Sequence, residues 1–135
     1  MPIVHTEKLR VNWVDTDASG RIHYTAALRY FEIAEHGLMR ALFGGMGAGP
    51  GRSGFSMPRV HVEADYKLAL RYPDEFTCSA RVEKIGNSSA SYAYEIRNLA
   101  GELVIKGRIV AVATDLAGNK TPIPPELRAL LEGAL

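Results

Sequence analysis

An α+β fold, with a five-stranded antiparallel sheet wrapped around one long helix, is predicted by three features of this 135-residue chain. Residues 3–14 alternate in polarity, with Leu9, Val11 and Trp13 on one parity and Arg10 and Asn12 on the other, which reads as a half-buried strand. From about Tyr24 to Leu42 the period changes: Ala27, Tyr30, Phe31, Ala34, Leu38, Ala41 and Leu42 recur at three- and four-residue spacing with no proline between them. Four more strand-like runs then follow, separated by short turn signals.

The first element is the strand of residues 3–14. The long helix comes next, and its apolar stripe needs a broad surface to lie against. It is expected to stop at Gly44-Gly45, where glycine can take the left-handed conformation past a helix end. "GGMGAGPGRSG" (44–54) reads as a flexible loop. The later strands are "MPRVHVEADYKLAL", ending at "RYPDE", "FTCSARVEKI", ending at "GNSS", "ASYAYEIRNL", ending at "AGE", and "LVIKGRIVAVATD", closing at "LAGNK". "PIPPELRALLEGAL" gives a short C-terminal helix with proline in its first turn. Strands joined by hairpin-length links are expected to pair antiparallel, and one sheet on one helix makes a two-layer domain spanning 1–135. Such a sheet has open edges and a thinly covered second face, so a homodimer or larger assembly is expected.

Composition narrows the function classes. The chain is 47% hydrophobic and 23% charged, with a net charge of +1, so no broad basic field points to nucleic acid or to a membrane surface. No apolar run approaches the roughly 20 residues of a membrane span, and no signal segment opens the chain. A single cysteine, Cys78, cannot form an internal disulfide and reads as a small strand residue. A cytoplasmic location is the expectation.

Several motifs can be set aside on mechanism. "GPGRSG" is a formal G-x-G-x-x-G at Gly49, Gly51 and Gly54, but a helix precedes it and a strand follows, the reverse of what a dinucleotide site needs. The histidines His5, His23, His36 and His61 form no metal signature; Glu32 and His36 lie one helical turn apart, yet nothing completes a site. No G-x-S-x-G stands between a strand and a helix. Neither a metal nor a separate cofactor is expected.

The strand-to-helix junction "WVDTDASGRIHY" carries the remaining chemistry. Asp15 and Asp17 can be turn and cap residues, favoured near a helix start by the dipole. The same placement also suits a carboxylate held opposite free amides at a helix N-terminus. The amides would bind an acyl oxygen where charge develops, while the carboxylate attacks the carbon or activates water. Local rules leave both readings open.

"VNWVDTDASGRIHYTAALRYFEIAEHGLMRAL" followed by "MPRVHVEADYKLALRYPDEF" resembles the hotdog-fold acyl-CoA thioesterases, closest to the 4-hydroxybenzoyl-CoA thioesterase and YbgC-like groups. The resemblance covers nearly the whole chain, including "YPDEF" and "DLAGNKTPIP", and its most specific part is D-T-D-x-x-G, the His/Tyr pair and the helix. It implies thioester hydrolysis of an acyl-CoA, with coenzyme A as part of the substrate, by a homodimer or dimer of dimers whose sites lie at the dimer interface. Asp17 falls on the family's catalytic carboxylate, as nucleophile or general base, and Tyr24 where a backbone amide polarises the thioester carbonyl. His23 takes a supporting role, orienting water or lining the acyl pocket. Glu32 matches a commonly acidic position, near the site or solvated. Positive charge for CoA phosphates is sought at Arg59, Lys84, Arg52 and Arg21, each of which can equally be a solvated surface charge. The charged Arg21 in "ASGRI" departs from the bulky residue of many relatives and leaves the acyl group open. The alternative is a hotdog domain that binds acyl-CoA or an acyl carrier without hydrolysing it.

Overall fold

The computed structural model describes residues 2–44 and 54–135. The glycine-loop reading of 44–54, apart from its two ends, and the Arg52 candidate lie outside the described residues. The chain runs β1 (Val4–Arg10), a 3₁₀ turn (Trp13–Asp15), α1 (Ala26–Phe43), β2 (Phe55–Ser56), β3 (Arg59–Tyr66), β4 (Glu75–Ile85), β5 (Ser89–Asn98), β6 (Leu103–Val112), β7 (Thr114–Asp115) and α2 (Pro125–Glu132). Five strands form one sheet in the order β1-β4-β5-β6-β3, and β2 and β7 form a separate two-stranded ribbon.

Every neighbouring pair in the large sheet is antiparallel. β4, β5 and β6 form the expected meander, but β3 and β4 are not neighbours. β3 pairs with β6 and β4 with β1, so residues 67–74 carry the chain from one edge of the sheet to the other. The hairpin expected from that link is therefore corrected to a crossover. The β2–β7 ribbon has strands of two residues, too short to show a period.

Alternation is strongest in the central strands. Phe76, Cys78, Ala80 and Val82 on β4, Tyr92, Tyr94 and Ile96 on β5, and Ile105, Ile109 and Ala111 on β6 face the helix and are buried. The opposite face carries ion pairs, Arg108 with Glu83 and Glu63, and Arg97 with Glu95, as expected where one side of an antiparallel sheet meets water. α1 presents Ala27, Tyr30, Phe31, Ala34 and Leu38 to the sheet, all buried, each large apolar one stabilising by about 1.5–3 kcal/mol. Phe31 stacks on Tyr94 at 4.7 Å between ring centroids. Its ring also lies directly over Gly107, where an added Cβ would fall 2.3 Å from it. The helix ends at Gly44, in the left-handed region at φ 70°, as its sequence predicts.

Two expectations at the start of the chain need correction. Trp13 does not extend the inward face of β1: the strand ends at Arg10, the chain turns through the 3₁₀ segment, and Trp13 is 76% exposed. α1 begins at Ala26, not Tyr24, because the His23 carbonyl accepts the Ala26 amide in a tight turn at 2.9 Å and Thr25 is the N-cap.

Gly107→Ala is expected to destabilise the fold by about 1–3 kcal/mol, the usual penalty for overpacking, because the Phe31 ring is fully buried and has nowhere to move. Denaturant unfolding measures this; an unchanged midpoint would mean that the helix does not press on β6 as described.

Candidate active site

The segment between β1 and α1 is a small hairpin. Thr16 and Ile22 form an antiparallel bridge, the Asp17 amide donates to the Arg21 carbonyl at 3.0 Å, and the Gly20 amide donates to the Asp17 carbonyl at 3.0 Å. Gly20 sits at φ 81°, which a side chain would strain. This is a type of three-residue loop in which glycine takes the left-handed position.

The two aspartates end in different environments. Asp15 is only 3% exposed and accepts from the Asn12 amide at 3.0 Å, the Tyr30 hydroxyl at 2.8 Å and the Arg29 guanidinium at 2.8 Å. Burial pushes its pKa up, but the Asn12 amide, the Tyr30 hydroxyl and Arg29 together outweigh it, so the group titrates below its ordinary 3.8. Asp15 thus shapes the turn, as its sequence position suggested. Asp17 is exposed. Its carboxylate accepts from the Ser19 hydroxyl at 2.5 Å and the Ser19 amide at 2.8 Å. The Ser19 hydroxyl, then its amide, hold Asp17 below 3.8 against slight desolvation, with weaker help from His23 and Arg21.

His23 and Tyr24 come next. The His23 amide donates to the Asp15 carbonyl at 2.7 Å, and its ring stacks on Tyr24 at 4.5 Å. Nδ1 of His23 accepts the Thr25 amide at 3.2 Å and lies 2.7 Å from the Thr25 hydroxyl, which places any proton of a neutral ring on Nε2. The Tyr24 carbonyl accepts from the Tyr66 hydroxyl on β3. The Tyr24 amide has no acceptor among the described residues, so one N–H at the entrance to α1 is available to a ligand.

The other candidates divide. Glu32 and Arg59 meet in a cleft of about 200 Å³ between α1 and β3, with Leu28, His36 and Val62. Arg59 is already engaged there: its guanidinium holds the buried Glu35 and donates to the Met57 carbonyl at 2.9 Å. Lys84 is exposed near the far end of β4. Nine residues from Glu75 put it about 30 Å along the strand from the Asp17 end, so a single chain does not bring it to the hairpin. Glu35 went unread; its signal was a carboxylate at i+4 from Phe31, inside the apolar stripe. Tyr66 and Arg71, held near Tyr24 and Gly20 by tertiary pairing, gave no local signal. Among the described residues no cluster of His, Cys, Asp and Glu could hold a metal ion, and no helix is long and apolar enough to cross a membrane.

Asp15→Asn is expected to lower stability by about 1–3 kcal/mol at neutral pH, the range for disturbing a buried hydrogen-bonded charge. The folded-state pKa of Asp15 is depressed, so its contribution is present above the unfolded value and lost as pH falls through the folded one. The stability gap between parent and variant should therefore close in strong acid. A gap that is constant with pH in chemical denaturation would show that the charge is not what matters.

Comparison with known proteins bears on the whole chain. Residues 11–131 match the family model described as the thioesterase-like superfamily. A protein named as a proposed acyl-CoA thioesterase, YneP of Bacillus subtilis (strain 168), is 26% identical over 112 residues, covering 83% of this chain and 80% of that protein. The solved DHNA-CoA thioesterase from Staphylococcus aureus superposes with a TM-score of 0.85 at 21% identity, over 96% of this chain and 89% of that one. A predicted thioesterase from Bacillus stearothermophilus gives 0.83 at 25% identity, over 98% and 97%. The sheet around α1 is the hotdog fold, and the chain belongs to the thioesterase-like superfamily.

Proposed function

We propose that the protein is an acyl-CoA thioesterase, hydrolysing the thioester to a free acid and coenzyme A. The observation that carries this reading is the pairing of an exposed, ionised Asp17 with the unengaged Tyr24 amide across one small hairpin. The family match and the names of relatives that act on acyl-CoA and DHNA-CoA support a CoA thioester as substrate.

In this reading the thioester carbonyl oxygen lies at the Tyr24 amide, which stabilises the negative charge that develops on attack. Asp17 supplies the electron pair, either directly on the carbonyl carbon or by taking a proton from water. Its depressed pKa keeps it charged at neutral pH. Ser19 aims the carboxylate, and His23, oriented through Thr25, presents Nε2 toward water or substrate. Leu28, Glu32 and His36 repeat every four residues down α1 and give the acyl group a face to follow into the Arg59 cleft. The active assembly is a homodimer or a dimer of dimers. The open β3 edge, with exposed Val60, Val62 and Tyr66, and the exposed Leu28 and Ile33 on α1 support such pairing.

A panel of acyl-CoAs with detection of released thiol tests the activity. Asp17→Asn is expected to lower kcat by at least about 100-fold with an unchanged Tm, since Asp17 is exposed. A variant as fast as the parent sinks the mechanism. A parent that binds acyl-CoA but releases no thiol would instead be the non-hydrolytic binder. Light scattering should give two or four chains per particle, and a monomer would remove the interface site.

A further inference from the structure

The hairpin that presents Asp17 also presents two arginines that make no ion pair among the described residues, Arg21 feeling only the weaker field of Asp17. Arg21 and Arg71 are directly opposed in an antiparallel bridge, and the Ile22 amide donates to the Leu70 carbonyl at 3.0 Å alongside them. Directly opposed residues project from the same face, and like charges placed so are unfavourable unless an anion answers both. No carboxylate among the described residues forms an ion pair with both. Asp74 accepts the backbone amide of Arg71 at 2.9 Å, Glu75 holds Arg10, and Asp17 is engaged by Ser19. Neither guanidinium is in an ion pair among the described residues. Segment 45–53 contains no Asp or Glu to supply a partner.

The guanidinium of Arg71 lies over the Asp17 turn, with Nη1 4.0 Å from where a Cβ on Gly20 would stand. The residue after it, Tyr72, pairs with Trp13 at 5.5 Å between centroids and 48° between planes. Both rings stay open to solvent, Trp13 at 76% and Tyr72 at 47%. Two opposed cations, one residue along the chain from an exposed aromatic pair, match a ligand that joins phosphate to a flat heterocycle.

We propose that Arg21 and Arg71, with the Trp13–Tyr72 pair, form a subsite for the phosphorylated purine nucleotide of the thioester's carrier. The two guanidiniums bind its phosphates and one of the aromatic rings stacks on its base. This rests on the thioesterase reading and adds to it: the carrier is a nucleotide, coenzyme A, and the subsite sits on the same hairpin as Asp17. It also reassigns the phosphate-binding charge from Arg59, which Glu35 holds, and from Lys84, at the other end of β4, to the Arg21–Arg71 pair.

The test compares acyl-CoA with the same acyl group on pantetheine, which lacks both phosphate and purine. The double variant Arg21→Gln/Arg71→Gln should raise KM for acyl-CoA by about tenfold or more, the factor for losing one charge-assisted hydrogen bond. KM for acyl-pantetheine should change far less, so that a loss of phosphate contacts is told apart from any effect of removing Arg21 on Asp17. Trp13→Ala should likewise raise KM for acyl-CoA alone. Calorimetry with adenosine 3′,5′-bisphosphate should show binding by the parent and loss in the double variant. All these side chains are exposed, and removing the opposed like charges relieves repulsion, so unfolding midpoints no lower than the parent's are expected for the double variant as the control. If the parent handles both thioesters with equal kcat/KM, or if the double variant binds the bisphosphate as tightly as the parent, the subsite is wrong while hydrolysis stands. If the parent binds the bisphosphate through these arginines but cleaves neither thioester, the subsite stands and the thioesterase reading falls. A parent that does neither overturns both.

Discussion

Burying a carboxylate is costly unless each oxygen is answered, and the answers that Asp15 receives determine how β1 hands over to α1. The Asn12 amide ties it to the start of the 3₁₀ turn just after β1, and Arg29 and Tyr30 tie it to the first and second turns of the helix. Its own carbonyl takes the His23 amide, which fixes the return arm of the hairpin. With both arms fixed, the chain between them can only bulge outward, and Asp17 stands on the bulge. Tyr24 follows on the same arm with its amide unspent. The geometry of the candidate site is thus a consequence of a buried carboxylate beneath it.

The turn itself is not special. The same arrangement occurs at Asn98–Glu102, where the Asn98 and Gly101 amides bond to the Glu102 and Asn98 carbonyls at 3.1 and 2.9 Å. It occurs again at Asp115–Asn119, with bonds of 2.8 and 3.0 Å. Each has glycine in the left-handed position, Gly101 and Gly118 like Gly20. Asp115 even accepts backbone amides through its carboxylate as Asp17 does. An Asp or Asn three residues before a glycine is therefore a rule for making hairpins. What separates Asp17 from Asp115 is its neighbourhood: a helix entrance whose Tyr24 N–H has no acceptor among the described residues, a histidine, and two arginines with no ion pair among those residues.

That distinction explains how far the sequence could be read. Periodicity was enough for the five strands, the long helix and its stop at Gly44, because each is a repeated local signal. It misled at Trp13, where parity continued after the strand had ended, since alternation cannot register a 3₁₀ turn of three residues. It misled again at residues 67–74, because a short connection resembles a hairpin whether or not the strands it joins are neighbours. Asp17, His23 and Tyr24 were legible because they are consecutive in one motif. Arg71, Tyr66 and Glu35 act through residues 24 to 59 positions away, and only tertiary structure reveals such partners.

The buried acids of the helix layer share one chemical solution. Glu35 accepts from the Tyr94 hydroxyl at 2.6 Å and from Arg59, as Asp15 does from Tyr30 and Arg29. In each set burial raises the tyrosine pKa, further helped by the adjacent carboxylate, so the hydroxyl stays a donor. In each the arginine stem is partly in water, which lessens the desolvation of the pair. Leaving either acid unpaired would cost roughly 3–5 kcal/mol, so a one-residue slip of α1 would be penalised at both places, whereas an all-apolar interface would tolerate it more easily. One lock fixes the helix entrance against β1; the other fixes its middle against β5 and the start of β3. With α1 held at both points, the Tyr24 amide and the cleft beside Arg59 keep a constant separation along the helix, which is what the proposed thioesterase site requires if the carbonyl is to lie at one end and the acyl chain at the other.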